Sequence, residues 1–306
     1  MQTVLITGGT GFIGRRVVAD LAARGAKCFV VTRGPVKTKN PAVEFVTCDL
    51  TAPESVSHLV PIVAKADTII HIAALIPPAV PLQPGIVPYV NNNILATGHL
   101  LEAMTQEKTA LPSLVFTSTL DVYGIPQRVP VDEDHPTAPL TVYAATKLSA
   151  ENLLTTFERA GNLPLTILRL SHVYGPGEPV IKAIPRFIEN VMNNEPPVIY
   201  GDGEDTRDYV YVGDVADAII KAVDRRLSGR FNISGGRGHT IREVAETIIR
   251  MSGKALRPIY RERRQPASQI VISNEKAREQ LEWAPRTSLA EGLAQQYDYA
   301  RKEGNK

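Results

Sequence analysis

Tyr143 and Lys147 stand four residues apart in the segment Val142-Tyr143-Ala144-Ala145-Thr146-Lys147. Helical spacing of four puts both side chains on one face. An ammonium beside a phenol favours phenolate, and a phenol that gives up its proton near neutral pH is a general base. Upstream, Phe116-Thr117-Ser118-Thr119-Leu120-Asp121-Val122-Tyr123-Gly124 reads as a strand running into a turn. A hydroxyl at that strand end donates to an oxygen on which charge develops. Thr119 is the first choice for that hydroxyl, with Ser118 as the alternative.

A third element supplies a binding surface. Val4-Leu5-Ile6 is followed by glycines at 8, 11 and 14 and then by apolar residues at helical spacing, from Phe12 and Ile13 to Leu21. Glycine permits a tight turn and close approach of a phosphate. The helix start behind it offers free N–H groups and partial positive charge to a pyrophosphate. Strand, glycine turn and helix in that order predict a dinucleotide site on the first strand of a doubly wound sheet.

The elements that must position these groups follow from the pattern. Strands are predicted at Lys27–Thr32, Val43–Thr47, Thr68–Ile72, Leu114–Ser118 and Leu165–Leu170. Helices are predicted at Arg15–Arg24, Pro53–Ala64, Asn93–Met104 and Val142–Arg159. This alternation gives an α/β fold, a Rossmann-like doubly wound parallel sheet. Past Tyr174 the rhythm changes at Gly175-Pro176-Gly177. A helix at Ile184–Asn193, strands at Val198–Tyr200, Tyr209–Val212 and Phe231–Ile233, and helices at Asp214–Arg225 and Ile241–Ser252 follow. We read them as a smaller C-terminal α/β substrate-binding domain. The expected division is residues 1–174 plus about 208–233 for the dinucleotide, and 175–207 with 234–306 for the substrate.

Composition narrows the function classes. The 306 residues suit two unequal lobes, and 43% hydrophobic residues supply a large core. A formal net charge of +2 with no dominant basic stretch argues against nucleic acid or a membrane surface as partner. Cys28 and Cys48 each lie in or beside an apolar run and read as buried reduced thiols, not a disulfide or metal pair. No metal site is expected. With no apolar segment of membrane-spanning length and no leader pattern, a cytoplasmic setting is expected.

Taken together, the chain resembles the extended short-chain dehydrogenase/reductases, in particular the NAD(P)-dependent nucleotide-sugar epimerase/dehydratase group. The resemblance spans nearly the whole chain. It rests on Thr7–Gly14, Asp49-Leu50, His71-Ile72-Ala73-Ala74, Asn93 with Thr97, Thr117–Gly124, Tyr143–Lys147, Arg169–Gly177, Arg207–Val212 with Asp214, and Leu281–Pro285. It implies that Gly8, Gly11, Phe12, Ile13 and Gly14 hold the dinucleotide, that Asp49 and Leu50 flank its adenine, and that Ala73, Ala74 and Asn93 line it. Tyr143 and Lys147 become the catalytic pair, Lys147 also reaching the nicotinamide ribose. Thr119 bonds the reacting sugar oxygen, and Arg207 and Arg264 hold the diphosphate of a nucleotide-sugar substrate. The group often forms homodimers through helices that correspond to Asn93–Met104 and Val142–Arg159.

The chain departs from the family pattern at several positions. Dehydratases place Asp and Glu after the catalytic threonine; this chain has Leu120-Asp121, which removes the proton donor and keeps a carboxylate for C5. His172 stands where asparagine usually meets substrate, and it offers donation to a phosphate or titration near neutral pH. Pro266-Ala267 replaces a Gly-Asp pair. The second strand ends Thr32-Arg33, without the carboxylate typical of NAD enzymes, which tilts cofactor choice toward NADP over NAD. The leading expectation is a nucleotide-sugar 4-epimerase working through a 4-keto sugar. A 4-ketoreductase, a dehydratase using Asp121, and a dinucleotide-binding protein without chemistry are the rivals, in that order.

Overall fold

The computed structural model describes residues 2–77, 85–106, 111–161, 163–179, 182–263 and 267–304. The first half alternates as the pattern requires: β1 (Thr3–Thr7), α1 (Phe12–Ala23), β2 (Lys27–Thr32), β3 (Val43–Thr47), α2 (Pro53–Val56), α3 (Val60–Val63), β4 (Thr68–His71), α4 (Ile86–Tyr89), α5 (Ala96–Thr105), β5 (Ser113–Thr119), α6 (Val142–Gly161) and β6 (Leu165–Leu170). After it come β7 (His172–Tyr174), α7 (Ala183–Met192), β8 (Val198–Tyr200), β9 (Thr206–Tyr211), α8 (Val212–Arg225), β10 (Gly229–Ile233), β11 (Gly238–Thr240), α9 (Ile241–Ser252), β12 (Ile259–Arg261), α10 (Glu275–Gln280) and α11 (Leu289–Gly304).

Seven strands form one sheet in the order β10-β6-β5-β4-β1-β2-β3, every pair parallel. The order reverses between β1 and β4, so a crevice opens beyond their carboxyl ends. Period-two alternation supplies both faces of this sheet. Val4 and Ile6 pack into one core with Val17 and Leu21 of α1 and Val215 and Ile219 of α8. Leu5 packs into the other with Leu100 and Met104 of α5 and Ala150 and Leu154 of α6. Burial on both faces explains why these strands read as nearly unbroken apolar runs.

Two small sheets complete the molecule. β9 lies between β7, which runs parallel to it, and β11, which runs antiparallel. β8 pairs in parallel with β12. The C-terminal helix α11 docks here: Gly292 lies so close to Tyr174 that a Cβ would stand 2.2 Å from the phenolic oxygen.

Two predicted helices are interrupted or rewound. The helix predicted over 53–64 is broken by a tight turn at Ser57–Leu59. Pro61 has no N–H to give the Ser57 carbonyl, so the helical ladder restarts at α3. The helix predicted from Asn93 starts instead as a π-helical turn, Val90–Leu95, before α5. Its wider winding changes which of the consecutive asparagines faces the cleft.

Candidate functional site

A cleft of about 810 Å³ runs over the carboxyl ends of β1, β2, β4 and β5. One end is built by the glycine turn. Gly8 has φ of 71°, and a Cβ there would stand 2.6 Å from the backbone nitrogen of Ala73. A Cβ on Gly14 would come 2.1 Å from the Gly8 carbonyl oxygen. The turn is thus folded onto itself and onto the loop after β4, in a space only glycine fills. Gly11 caps α1 without a side chain, leaving first-turn N–H groups pointed at the cleft. These features fit a pyrophosphate, so the residues present suit a dinucleotide.

Gly8, Gly11, Phe12, Ile13, Gly14, Arg33, Asp49, Leu50, Ala73, Ala74, Tyr143 and Lys147 all line this cleft, as do Thr119, Asp121 and His172. Asn93 does not. Its side chain is buried and spent on protein bonds to Leu75 and Thr146. The cleft residue is its neighbour Asn92, which accepts a hydrogen bond from Arg33 across the opening. Periodicity alone could not find this, because the π-helical turn shifts the phase by one residue. Lys182 also lines the cleft and was missed; it follows a Gly-Pro-Gly turn with no motif of its own.

Arg207 is not a lining residue. Its guanidinium donates to the Thr206 carbonyl at 2.9 Å, while its charge still reaches Asp121 and His172. Arg264 lies outside the described residues.

β5 carries the polar strand end. Thr119 Oγ1 accepts the Asp121 N–H at 3.2 Å and so caps the turn Leu120–Tyr123. The single Thr119 proton is contested between the Asp121 carboxyl and the Tyr143 phenol, both of which it favours in their charged forms. Ser118 Oγ is buried without a partner among the described residues and faces the same cleft. Burial raises the Asp121 carboxyl, and its bond with Thr119 and the charges of Lys182 and Arg207 pull it back.

The expected acidification of Tyr143 by Lys147 is reversed here. Burial pushes the phenol up and the Asp121 charge adds to this, while a hydrogen bond with Thr119 opposes both. The Lys147 ammonium instead sits over the Phe116 ring, 3.9 Å from its centre. Burial brings its pKa down to about 7 against the pull of Glu151. The sequence shows the spacing of the pair but not its desolvation.

His172 is likewise corrected. Burial, with the charges of Arg207 and Lys182, pushes it down to about 3. It is a neutral imidazole at physiological pH and does not titrate there. Its ring is tilted against Tyr209, and Nδ1 is buried without a partner among the described residues.

The chain as a whole is similar to known proteins. A UDP-glucose 4-epimerase from Thermotoga maritima, solved with UDP-glucose, superposes with a TM-score of 0.90 at 31% identity over 99% of each chain. A UDP-glucuronic acid 4-epimerase from Bacillus cereus, solved with NAD, gives 0.87 at 28% identity over 99% of each. A putative UDP-glucose 4-epimerase from Methanocaldococcus jannaschii is 32% identical over 95% of each chain. The sequence model of the NAD dependent epimerase/dehydratase family matches residues 4–234. The chain belongs to that family.

Proposed function

We propose that the protein interconverts C4 epimers of a UDP-linked hexose with a bound nicotinamide dinucleotide. The observation that carries this reading is the convergence of Thr119, Tyr143 and Lys147 in the one cleft that the glycine turn also lines. Similar chains are UDP-sugar 4-epimerases, and one was solved with NAD.

The chemistry the dinucleotide supplies when bound is hydride acceptance and return, with one positive ring charge in its oxidised form. The chain's own residues handle the proton. Tyr143 Oη takes the proton of the sugar C4 hydroxyl, and Thr119 Oγ1 donates to that oxygen and orients it. Loss of the hydroxyl proton to Tyr143, with hydride leaving C4 for a bound dinucleotide, would give a 4-keto sugar. Rotation of this sugar would present its other face, so that return of hydride to C4 and of the Tyr143 proton to the oxygen would give the epimer. Burial opposes the phenolate that this step needs; the positive ring charge of an oxidised dinucleotide, where bound, would favour it, and Lys147 stands one helical turn away. His172 Nδ1, neutral and unsatisfied, is a hydrogen-bonding group for the substrate, and Arg207 supplies positive charge for its diphosphate.

Asp49 and Arg33 flank the adenosine end. Asp49 Oδ1 accepts from Thr51 N–H and Oγ1, both at 2.9 Å. No carboxylate ends β2, and the exposed Arg33 keeps guanidinium donors beyond its bond to Asn92 for a 2′-phosphate, which supports acceptance of NADP as well as NAD. We also propose a homodimer through α5 and α6. Leu95 and Leu153 are 46% and 37% exposed, and Gly98 lies against Leu153. Two buried free thiols suit a reducing cytoplasm.

The test is incubation with UDP-galactose and, separately, UDP-glucose, followed by proton NMR. Approach to one equilibrium mixture from both sides, without net change at 340 nm, supports the reading. Stoichiometric consumption of NADPH with a 4-keto sugar supports the reductase instead, a reading that Thr32-Arg33 favours. No change with any UDP-hexose overturns both.

A further inference from the structure

In the turn after β5, three of four side chains are spent on packing. Leu120, Val122 and Tyr123 are buried together with Val131 and Ile272. Asp121 alone is exposed, and it lines the cleft. The backbone on both sides of it is held. Thr119 Oγ1 accepts the Asp121 N–H, and the Asp121 carbonyl accepts the Gly124 N–H, each at 3.2 Å. Gly124 ends the turn with φ of 67°, and a Cβ there would stand 2.0 Å from the Ala138 carbonyl oxygen. With its neighbours packed inward and its backbone fixed, Asp121 presents its carboxylate to the cleft.

Two cations act on that carboxylate, Lys182 and Arg207. Each has another anion to meet. Lys182 Nζ lies 3.5 Å from Glu178 Oε1. Glu178 is buried, and Gln296 Nε2 donates to its Oε2 at 3.0 Å. Arg207 is the charge assigned above to the substrate diphosphate. His172 is neutral and adds none. With substrate present, Asp121 is thus left as unmatched negative charge beside the sugar.

We propose that Asp121 is a specificity-determining residue: its carboxylate repels nucleotide sugars that carry a carboxylate at C6 and reserves the site for neutral hexoses. This role deepens the epimerase reading and takes the placement of the sugar from it. In that reading Thr119 holds the C4 oxygen, and Asp121 follows two residues on in the same turn. C6 hangs from C5, the ring atom next to C4, so a carboxylate there would face the Asp121 charge. Like charges repel strongly inside a cleft because little solvent screens them. A repulsive group of this kind gives specificity without adding a contact to the favoured substrate.

The test is calorimetry of UDP-glucose and of UDP-glucuronate, its C6-carboxylate analogue, on the NAD-loaded protein and on Asp121→Asn. UDP alone checks that each protein still holds the nucleotide. The ratio of the two affinities is taken within each protein, so a general weakening cancels. The unmodified protein should favour UDP-glucose by about 10- to 100-fold, and Asp121→Asn, equal in size but uncharged, should bring that ratio below about threefold. Asp121→Glu, which keeps the charge, should retain most of the preference. The ratio of kcat/KM for the two sugars, followed by proton NMR, should move in the same direction. An equal ratio in the unmodified protein and Asp121→Asn overturns the inference, as does UDP-glucuronate binding the unmodified protein as tightly as UDP-glucose. A preference that depends on Asp121, with neither sugar turned over, removes the epimerase reading and leaves the discrimination at Asp121 standing. Failure of both sugars to bind, with UDP still held, overturns both.

Discussion

Lys147 holds its ammonium 3.9 Å from the centre of the Phe116 ring, on the same face of α6 as Tyr143. Its contact is with the ring face of a β5 residue. A buried ammonium on an aromatic face keeps some electrostatic compensation but loses most of its hydration. The consequence is a lysine that releases its proton far below the ordinary range.

This has a sign that thermal unfolding can read. The unfolded lysine keeps its proton to about 10.5, and the folded one lets go at about 7. Between those values the unfolded state binds more protons, so stability from this group climbs as pH rises. Lys147→Met should raise the Tm of the cofactor-free protein at pH 7, and that advantage over the unmodified protein should shrink by pH 9. A difference in Tm between the two proteins that does not vary with pH would contradict the assignment.

Tyr143→Phe keeps the ring and removes the proton carrier. Turnover should fall by roughly 10²- to 10⁴-fold, the range of general acid–base catalysis. Cofactor affinity, measured by calorimetry, should be unchanged. Retained turnover would take Tyr143 out of the proton path.

Arg33 tests cofactor choice. Arg33→Ala removes one charge-assisted partner for a 2′-phosphate, and NADP affinity should drop about 10- to 100-fold. NAD affinity should hardly move. Equal losses for both cofactors would place Arg33 on a shared part of the dinucleotide.

Arg207→Met should raise KM for a UDP-sugar by about 10-fold or more with little change in kcat, the pattern of uniform binding. A fall in kcat at constant KM would instead mean that Arg207 acts only in the transition state.

The inner strands of the large sheet were legible because they are buried on both faces, and the edge strand β3 because Val43, Phe45 and Val46 still make an apolar run. Lys27–Thr32, Val43–Thr47 and Leu165–Leu170 match their predicted limits residue for residue. The glycine turn was legible because close backbone approach at Gly8 and Gly14 admits no other residue. The three-residue strands β7, β11 and β12 were not read, while β8, equally short, was marked by Pro196-Pro197 before it and Gly201 after it; α10 and α11 were not read from the tail. In the site, residue types and spacing were visible at Tyr143, Lys147 and His172, but their proton affinities were not. Those depend on how much protein surrounds each group, which is a property of the folded chain. Asn93 was placed on the cofactor by the family resemblance; the structure buries its side chain on Leu75 and Thr146, and its neighbour Asn92 lines the cleft.

The position of β10 has a consequence for synthesis. It completes the large sheet by pairing along β6, from Gly229 opposite Thr166 to Ile233 opposite Leu170. The residues of β7, α7, β8, β9 and α8 are all made in the interval between those neighbours. A nascent chain thus carries an unfinished apolar sheet edge at β6 until residue 233 has left the ribosome, and such edges recruit foreign strands. Truncations that stop short of β10 would convert this transient hazard into a permanent one and yield aggregates instead of a soluble nucleotide-binding half.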